Sequence, residues 1–253
     1  MLNIVVPMAG AGKRFADLGY LLPKPLIKVE TVPMIRLVIS NLRPTQPHRF
    51  IFVCQSTHVQ QHDLNSLLGE WCPGSNVVTV SGLTEGAACT VLAARDFIAN
   101  DDPLMIANSD QWIDASIDEY LNKMATESFD GYIMTMYANN PKWSFVELDS
   151  SQIVRRVVEK EVISNEATVG IYNFKRGLDF VLAAEAMILA EQRVNGEFYV
   201  APVFNTLIEQ GCTVGIFNVG SEACGMYGLG TPEDLERFLR LPVCRRAVAG
   251  IHA

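Results

Sequence analysis

The sequence contains no Cys-x-x-Cys pair, no Lys- or Arg-rich stripe, no low-complexity tract and no apolar run of membrane-spanning length. Each absence excludes something. The six cysteines (Cys54, Cys72, Cys89, Cys212, Cys224, Cys244) are scattered, which in a chain of this size reads as reduced thiols, not a disulfide framework or a zinc site. A formal net charge of −8 without a basic footprint argues against a nucleic-acid groove, because phosphate backbones demand clustered cations. A small anionic substrate is still compatible, since a few focused cations hold it against an acidic background. The apolar opening 2–6 lacks a basic leader and stops at Pro7, so it is not read as a secretory signal. The expected compartment is the cytoplasm, with no membrane partner. What is present is an ordinary globular composition, 49 % hydrophobic and 19 % charged, sufficient for a sizeable core.

Residues 2–6 read as a short buried strand feeding the loop 7–14. A helix after Pro33 carries Met34, Leu37, Val38 and Leu42 on one face. Residues 50–54, 77–80 and 104–107 read as further strands, with helices over 58–68 and 86–97. This alternation predicts an α/β fold, a mostly parallel Rossmann-like sheet with helices on both faces. The second half is mixed: strands at 132–137, 145–148, 153–158 and 168–174, helices at 178–190 and 203–210, a strand near 213–217 and a helix over 232–240. One domain over 1–240 is expected, with lobes of about 1–111 and 112–240. The fairly apolar tail 241–253 is expected to pack on the domain or on a partner, and a homo-oligomer is compatible with it. His58 and His62 sit at i, i+4 on a predicted helix, but without a third ligand they read as a surface or half-buried pair and not as zinc ligands.

The first strand delivers Ala9-Gly10-Ala11-Gly12-Lys13-Arg14-Phe15 at its carboxyl end, the edge where open parallel sheets bind ligands. Small residues there let backbone N–H groups approach phosphate oxygens. Spacing excludes a Gly-x-x-x-x-Gly-Lys-Ser/Thr loop, which would need glycine at Pro7 and a hydroxyl at Arg14, and a dinucleotide fingerprint, which would need a small residue at Phe15. Alone, the pair of glycines is as compatible with a tight turn. Downstream, Pro23-Lys24-Pro25-Leu26 holds a lysine between two prolines, on a stiff backbone that suits an ammonium aimed at a phosphate.

Gly-x-Gly-x-Arg-Phe followed by Pro-Lys-Pro-Leu after a first strand resembles the sugar-phosphate nucleotidyltransferases, the nucleoside-diphosphate-sugar pyrophosphorylases, and the resemblance runs from Asn3 to about Phe238. It implies the nucleotide-diphospho-sugar transferase fold, similar to that of GT-A glycosyltransferases, with the mixed sheet as an acceptor lobe. It also implies transfer of an NMP from an NTP to a phosphorylated small-molecule acceptor, with Mg2+ as cofactor, in surface-polysaccharide precursor synthesis. Carried over, Ala9, Gly10, Ala11 and Gly12 would cradle the NTP, with Arg14 and Lys24 on its phosphates. The segment with Gly82, Thr84, Glu85 and Gly86 looks like the base-binding stretch. Asp110, in Asn108-Ser109-Asp110, corresponds to the metal ligand; in isolation it reads as readily as a helix cap. Glu159 and Lys160 look like the acceptor pair, Lys160 gripping the acceptor phosphate. Asn108, Ser144, Gly170 and Glu197 complete the acceptor side.

Two positions depart from the pattern. Gly228 in Gly228-Leu229-Gly230-Thr231-Pro232-Glu233 stands where the family has a second metal-binding Asp. Ser144, after Trp143, stands where the family shows glycine beside the sugar ring, so a hexose pocket is expected to be crowded and glucose 1-phosphate a poor acceptor. Rival readings are a cytidylyltransferase for a non-sugar phosphate, a related-fold glycosyltransferase, and a regulatory module that binds nucleotide without turnover. The glycosyltransferase reading is weakened by Ser109, which leaves a single carboxylate where an Asp-x-Asp motif is usual.

Overall fold

The computed structural model describes residues 1–252. The apolar start forms β1 (Leu2–Pro7), and the glycine loop turns into a short helix, α1 (Lys13–Ala16). A tight 3-10 turn over Lys24–Leu26 and the hairpin β2 (Lys28–Val29) and β3 (Val32–Pro33) lead to α2 (Met34–Leu42). Then follow β4 (His48–Gln55), α3 (Ser56–His62), α4 (Leu64–Trp71), β5 (Asn76–Val80), α5 (Ala87–Leu92), α6 (Arg95–Ile98) and β6 (Leu104–Ala107). The second half runs β7 (Gln111–Ile113), α7 (Ile117–Thr126), β8 (Gly131–Tyr137), β9 (Ser144–Leu148), β10 (Val154–Glu159), β11 (Glu166–Phe174), α8 (Gly177–Leu189), α9 (Val203–Glu209), β12 (Val214–Glu222), β13 (Gly225–Gly228), α10 (Pro232–Leu239) and α11 (Pro242–His252).

One sheet passes through both halves in the order β5-β4-β1-β6-β11-β8-β12-β13-β7, with β9 joined to β11 and β10 to β9. Its first four strands are mutually parallel. β11 runs antiparallel to both β6 and β8, so the sheet becomes mixed where the second half begins. Alternation along the strands splits the core. Ile4, Phe50, Phe52 and Met105 face one side, and Val5, Ile51, Val53 and Ile106 the other, so each strand buries both faces. A third cluster joins Phe15, Met34, Leu37 and Trp112 to Phe238, Cys244 and Val248. The C-terminal tail is therefore helix α11, packed on this domain through its apolar face. Among the described residues, no helix is long and apolar enough to cross a membrane.

The expected helix over 58–68 is two helices, because Asp63 adopts a left-handed conformation (φ 46°) between α3 and α4. The expected helix over 86–97 also breaks: Ala94 N–H bonds the Val91 carbonyl and the chain re-enters as α6. The hairpin β2–β3, the short strands β7 and β13 and the helices α7 and α11 lie outside the predicted elements. For α7 the sequence did carry a signal: Ser116 caps Glu119 N–H in a Ser-x-x-Glu box.

Candidate active site

The register Pro7↔Val53 on one side and Val5↔Ile106 on the other brings the carboxyl ends of β1, β4 and β6 to one edge. A cavity of about 450 Å3 opens there, lined by the glycine loop (Ala9, Gly10, Ala11), by Lys13 and Lys24, and by Asn108, Ser109 and Asp110. Leu83, Thr84, Gly86 and Ala87 also line it, as does Glu197. This is a size suited to a small ligand. Gln55, at the end of β4, donates to the Ala9 carbonyl at 2.7 Å and so staples the loop.

Lys24 and Asp110 meet inside this cavity, Nζ to Oδ2 at 2.7 Å, each side chain about one quarter exposed. The prolines on either side of Lys24 leave it in a 3-10 turn, and a Cβ on Gly12 would lie only 3.5 Å from the Lys24 Cβ. Lys24 thus passes beside the glycine loop at Gly12. Arg14 sits exposed on α1 and is not part of the cavity wall; Lys13, which the sequence reading passed over, is. Nor do Gly12, Gly82 and Glu85 line it. Glu85 is exposed and paired with Arg193 at 2.7 Å.

Gly86 ties the two halves of the site together. Its φ is +131°, and a Cβ there would strike the Phe198 carbonyl at 2.3 Å, where Phe198 N–H bonds the Glu85 carbonyl and Ala88 N–H bonds the Phe198 carbonyl. The segment 84–88 is therefore laced to 197–199, which carries Glu197 into the cavity. Gly170 plays a similar part for Asn108: its φ is +79°, and a Cβ would sit 2.1 Å from Asn108 Nδ2. Gly170→Ala is expected to cost about 2–4 kcal/mol, from left-handed strain plus a clash in a filled space. A Tm unchanged from wild type would contradict this packing.

Lys160, Glu159 and Ser144 lie outside the cavity wall but connect to it. Lys160 holds a left-handed backbone (φ 58°), with its N–H on the Trp143 carbonyl. Its ammonium donates to the Tyr199 hydroxyl and lies 4.5 Å from that ring's centre. The phenol, more than any other neighbour, raises the Lys160 pKa and holds it charged. Burial and the Glu197 carboxylate raise the Tyr199 pKa against the effect of Lys160, so Lys160 sits beside the segment that carries Glu197 into the cavity.

Ser144 and Glu159 are both 8 % exposed, and the Ser144 hydroxyl donates to the Glu159 carboxylate. Ser144, expected beside the acceptor, turns its hydroxyl to Glu159. Burial raises the Glu159 pKa against the opposing effect of Ser144. Stability from the protonated form is thus fully present below the unfolded value near 4.5 and is lost as pH rises through the folded value. Glu159→Gln does not titrate, so its Tm relative to wild type should rise between pH 4.5 and pH 8. Paired melts whose difference is constant with pH would refute a buried, desolvated carboxyl.

Among the described residues, no group of three or more His, Cys, Asp or Glu gathers as a metal cage, and His58 and His62 belong to none. A single carboxylate still suits magnesium, which takes one or two carboxylates and completes its octahedron with phosphates and water. Asp110 is such a carboxylate, on the cavity wall. A Cβ on Gly228 would lie 3.6 Å from the Asp234 carboxylate, and the next residue, Leu229, bonds its N–H to the Asp110 carbonyl.

The chain resembles proteins of known kind over most of its length. A solved nucleoside-diphosphate-sugar pyrophosphorylase from Vibrio cholerae RC9 superposes with TM-score 0.82 at 22 % identity, covering 94 % of this chain and all of that one. The inositol-1-phosphate CTP transferase of T. maritima superposes with TM-score 0.74 at 15 % identity, covering 98 % and 95 %. The bifunctional protein GlmU of Methanococcus maripaludis is 24 % identical over 220 residues, covering 85 % of this chain and 49 % of GlmU. This chain therefore spans about half the length of that relative. The sequence profile of the nucleotidyl transferases matches residues 4–211. With glycine loop, lysine and aspartate gathered at one edge of the matching fold, the chain belongs to the nucleotidyl transferase family of enzymes.

Proposed function

We propose that this protein transfers an NMP from an NTP to a phosphate monoester and releases pyrophosphate. The observation that carries the reading is a cavity lined together by the glycine loop, Lys24, Asp110 and Glu197, with Lys160 held by Tyr199, two residues beyond Glu197. In this reading the first lobe, about 1–111, holds the nucleotide, and the second, about 112–240, holds the acceptor.

The backbone N–H groups of Gly10 and Ala11 bind triphosphate oxygens, and Lys13 and Lys24 neutralise charge on them. Arg14, exposed on the first turn after the loop and outside the cavity wall, would add a third cation by reaching toward the triphosphate. Leu83, Thr84 and Gly86 cover the base. Lys160 anchors the acceptor phosphate, with Asn108, Gly170 and Glu197 shaping the space around it. An acceptor phosphate oxygen attacks the α-phosphorus in line; the new P–O bond forms as the bond to the β-phosphate bridge breaks, and pyrophosphate carries away the electron pair. The dianionic acceptor needs no general base, so positioning and charge neutralisation provide most of the acceleration. Asp110 would hold Mg2+, which polarises phosphate oxygens and offsets their charge when bound.

The acceptor is a sugar phosphate or a similar small phosphate monoester, with a role in polysaccharide precursor synthesis. One observation favours the non-sugar alternative: the Ser144 hydroxyl already occupies an oxygen of Glu159, the carboxylate the family offers to sugar hydroxyls. Pyrophosphate release across four NTPs and a panel of hexose, polyol and amino-alcohol phosphates tests both. Release that depends on the acceptor supports transferase chemistry. A kcat/KM for glucose 1-phosphate above about 10⁴ M⁻¹s⁻¹, the ordinary enzymatic range, would reject the non-sugar preference. Nucleotide binding without release under any combination would favour a regulatory module.

A further inference from the structure

The Lys24–Asp110 pair is awkward for the roles just assigned. One residue is to grip triphosphate and the other to hold a divalent cation, yet in the free protein they neutralise each other at 2.7 Å. Gly230 passes beside Asp110 Oδ2, where any Cβ would lie 2.6 Å from that oxygen, so only glycine leaves the carboxylate its place there. A cation approaching Oδ2 must therefore contend with the lysine that already occupies it. Gly228 and Asp234 lie together, and no cluster of three acidic, His or Cys groups exists among the described residues to outbid the ammonium. A dication facing one carboxylate that already carries its counter-ion gains little and must push a tethered positive charge aside.

Triphosphate changes that balance. Lys24 and the loop residues Ala9, Gly10 and Ala11 line the same cavity, so phosphate oxygens cradled by the loop would compete with Asp110 for the ammonium on its flexible side chain. Resting on the functional reading above, we propose that Lys24 is an exchangeable counter-ion that keeps the divalent-cation site closed until triphosphate draws the lysine off Asp110. The metal site then assembles only together with nucleotide, and the free enzyme is protected against metal binding in the wrong order.

The test is direct binding of Mn2+, used as a paramagnetic probe for magnesium, to the nucleotide-free protein by titration calorimetry and electron paramagnetic resonance. Wild type, Lys24→Met and Lys24→Met/Asp110→Asn are compared, with the Tm of each confirming that it is folded. Met keeps the length and apolar stem of the lysine and removes only the charge. Lys24→Met is expected to bind Mn2+ at least about tenfold more tightly than wild type, the scale of a partly desolvated ion pair, and the double variant to lose that site. Equal affinity in wild type and Lys24→Met, absence of binding in both, or tight binding retained by the double variant would each overturn the exchange. None of these results bears on whether the enzyme releases pyrophosphate from NTP, so the functional reading stands or falls separately.

Discussion

Lys24→Ala is expected to lower NTP turnover by at least about a hundredfold while leaving the fold intact. The size follows from what is removed: a preorganised cation aimed at phosphate charge inside a partly water-excluded cavity, for which losses of that order are usual. The fold should survive because the ammonium contributes no core packing; its partner is Asp110, and both side chains are about one quarter exposed. The loss should appear chiefly in kcat if the lysine acts on charge that grows as pyrophosphate departs, and equally in KM if it only binds ground-state phosphate. Wild-type turnover in a folded Lys24→Ala protein would remove the central cation of the scheme.

Asp110→Asn is expected to reduce magnesium-dependent turnover by roughly a hundredfold to a thousandfold. The substitution is nearly isosteric, and the amide oxygen can still accept from Lys24, so the cavity should keep its shape while losing the negative charge that a divalent cation requires. Raising the magnesium concentration should recover part of the activity if triphosphate supplies the remaining ligands. Full activity at unchanged magnesium would show that Asp110 is a capping or scaffolding residue and nothing more.

The first half of this fold was readable because its strands are buried on both faces and its loops carry distinctive residues. The strand at 104–107 is placed as read, and β1, β4 and β5 differ from the reading only at their ends. Helices with a stop inside them were hard to read: Asp63 is of a type that visits the left-handed region but as often stays in a helix, and the turn after Val91 lies in an Ala-rich run that favours helix by composition. α11 was missed because its apolar residues matter only once α2 and α10 present the cluster around Trp112 and Phe238.

In the site, the glycine loop, Lys24 and Asp110 could be nominated from residue type and position at strand ends. Their mutual ion pair could not, since it joins positions 86 residues apart. Lys13 and Tyr199 were passed over for opposite reasons. Lys13 was overshadowed by its neighbour Arg14, and Tyr199 acquires meaning only from the Lys160 ammonium that it holds. Ser144 was read by comparison with a glycine. Its own hydrogen bond to Glu159 is formed where β9 and β10 pair Glu159 with Ser144, a register that no single strand reveals.

The position of the transferred phosphorus tests the account most directly. With whichever NTP and acceptor phosphate support turnover, the enzyme is supplied with NTP labelled at the α-phosphorus and, in parallel, at the γ-phosphorus. Attack at the α-phosphorus predicts α-label covalently joined to the acceptor through a new diphosphate bond, and γ-label in pyrophosphate, in equal amounts. Label from the γ-position on the acceptor, or release of inorganic phosphate with the α-label left in NDP, would contradict it.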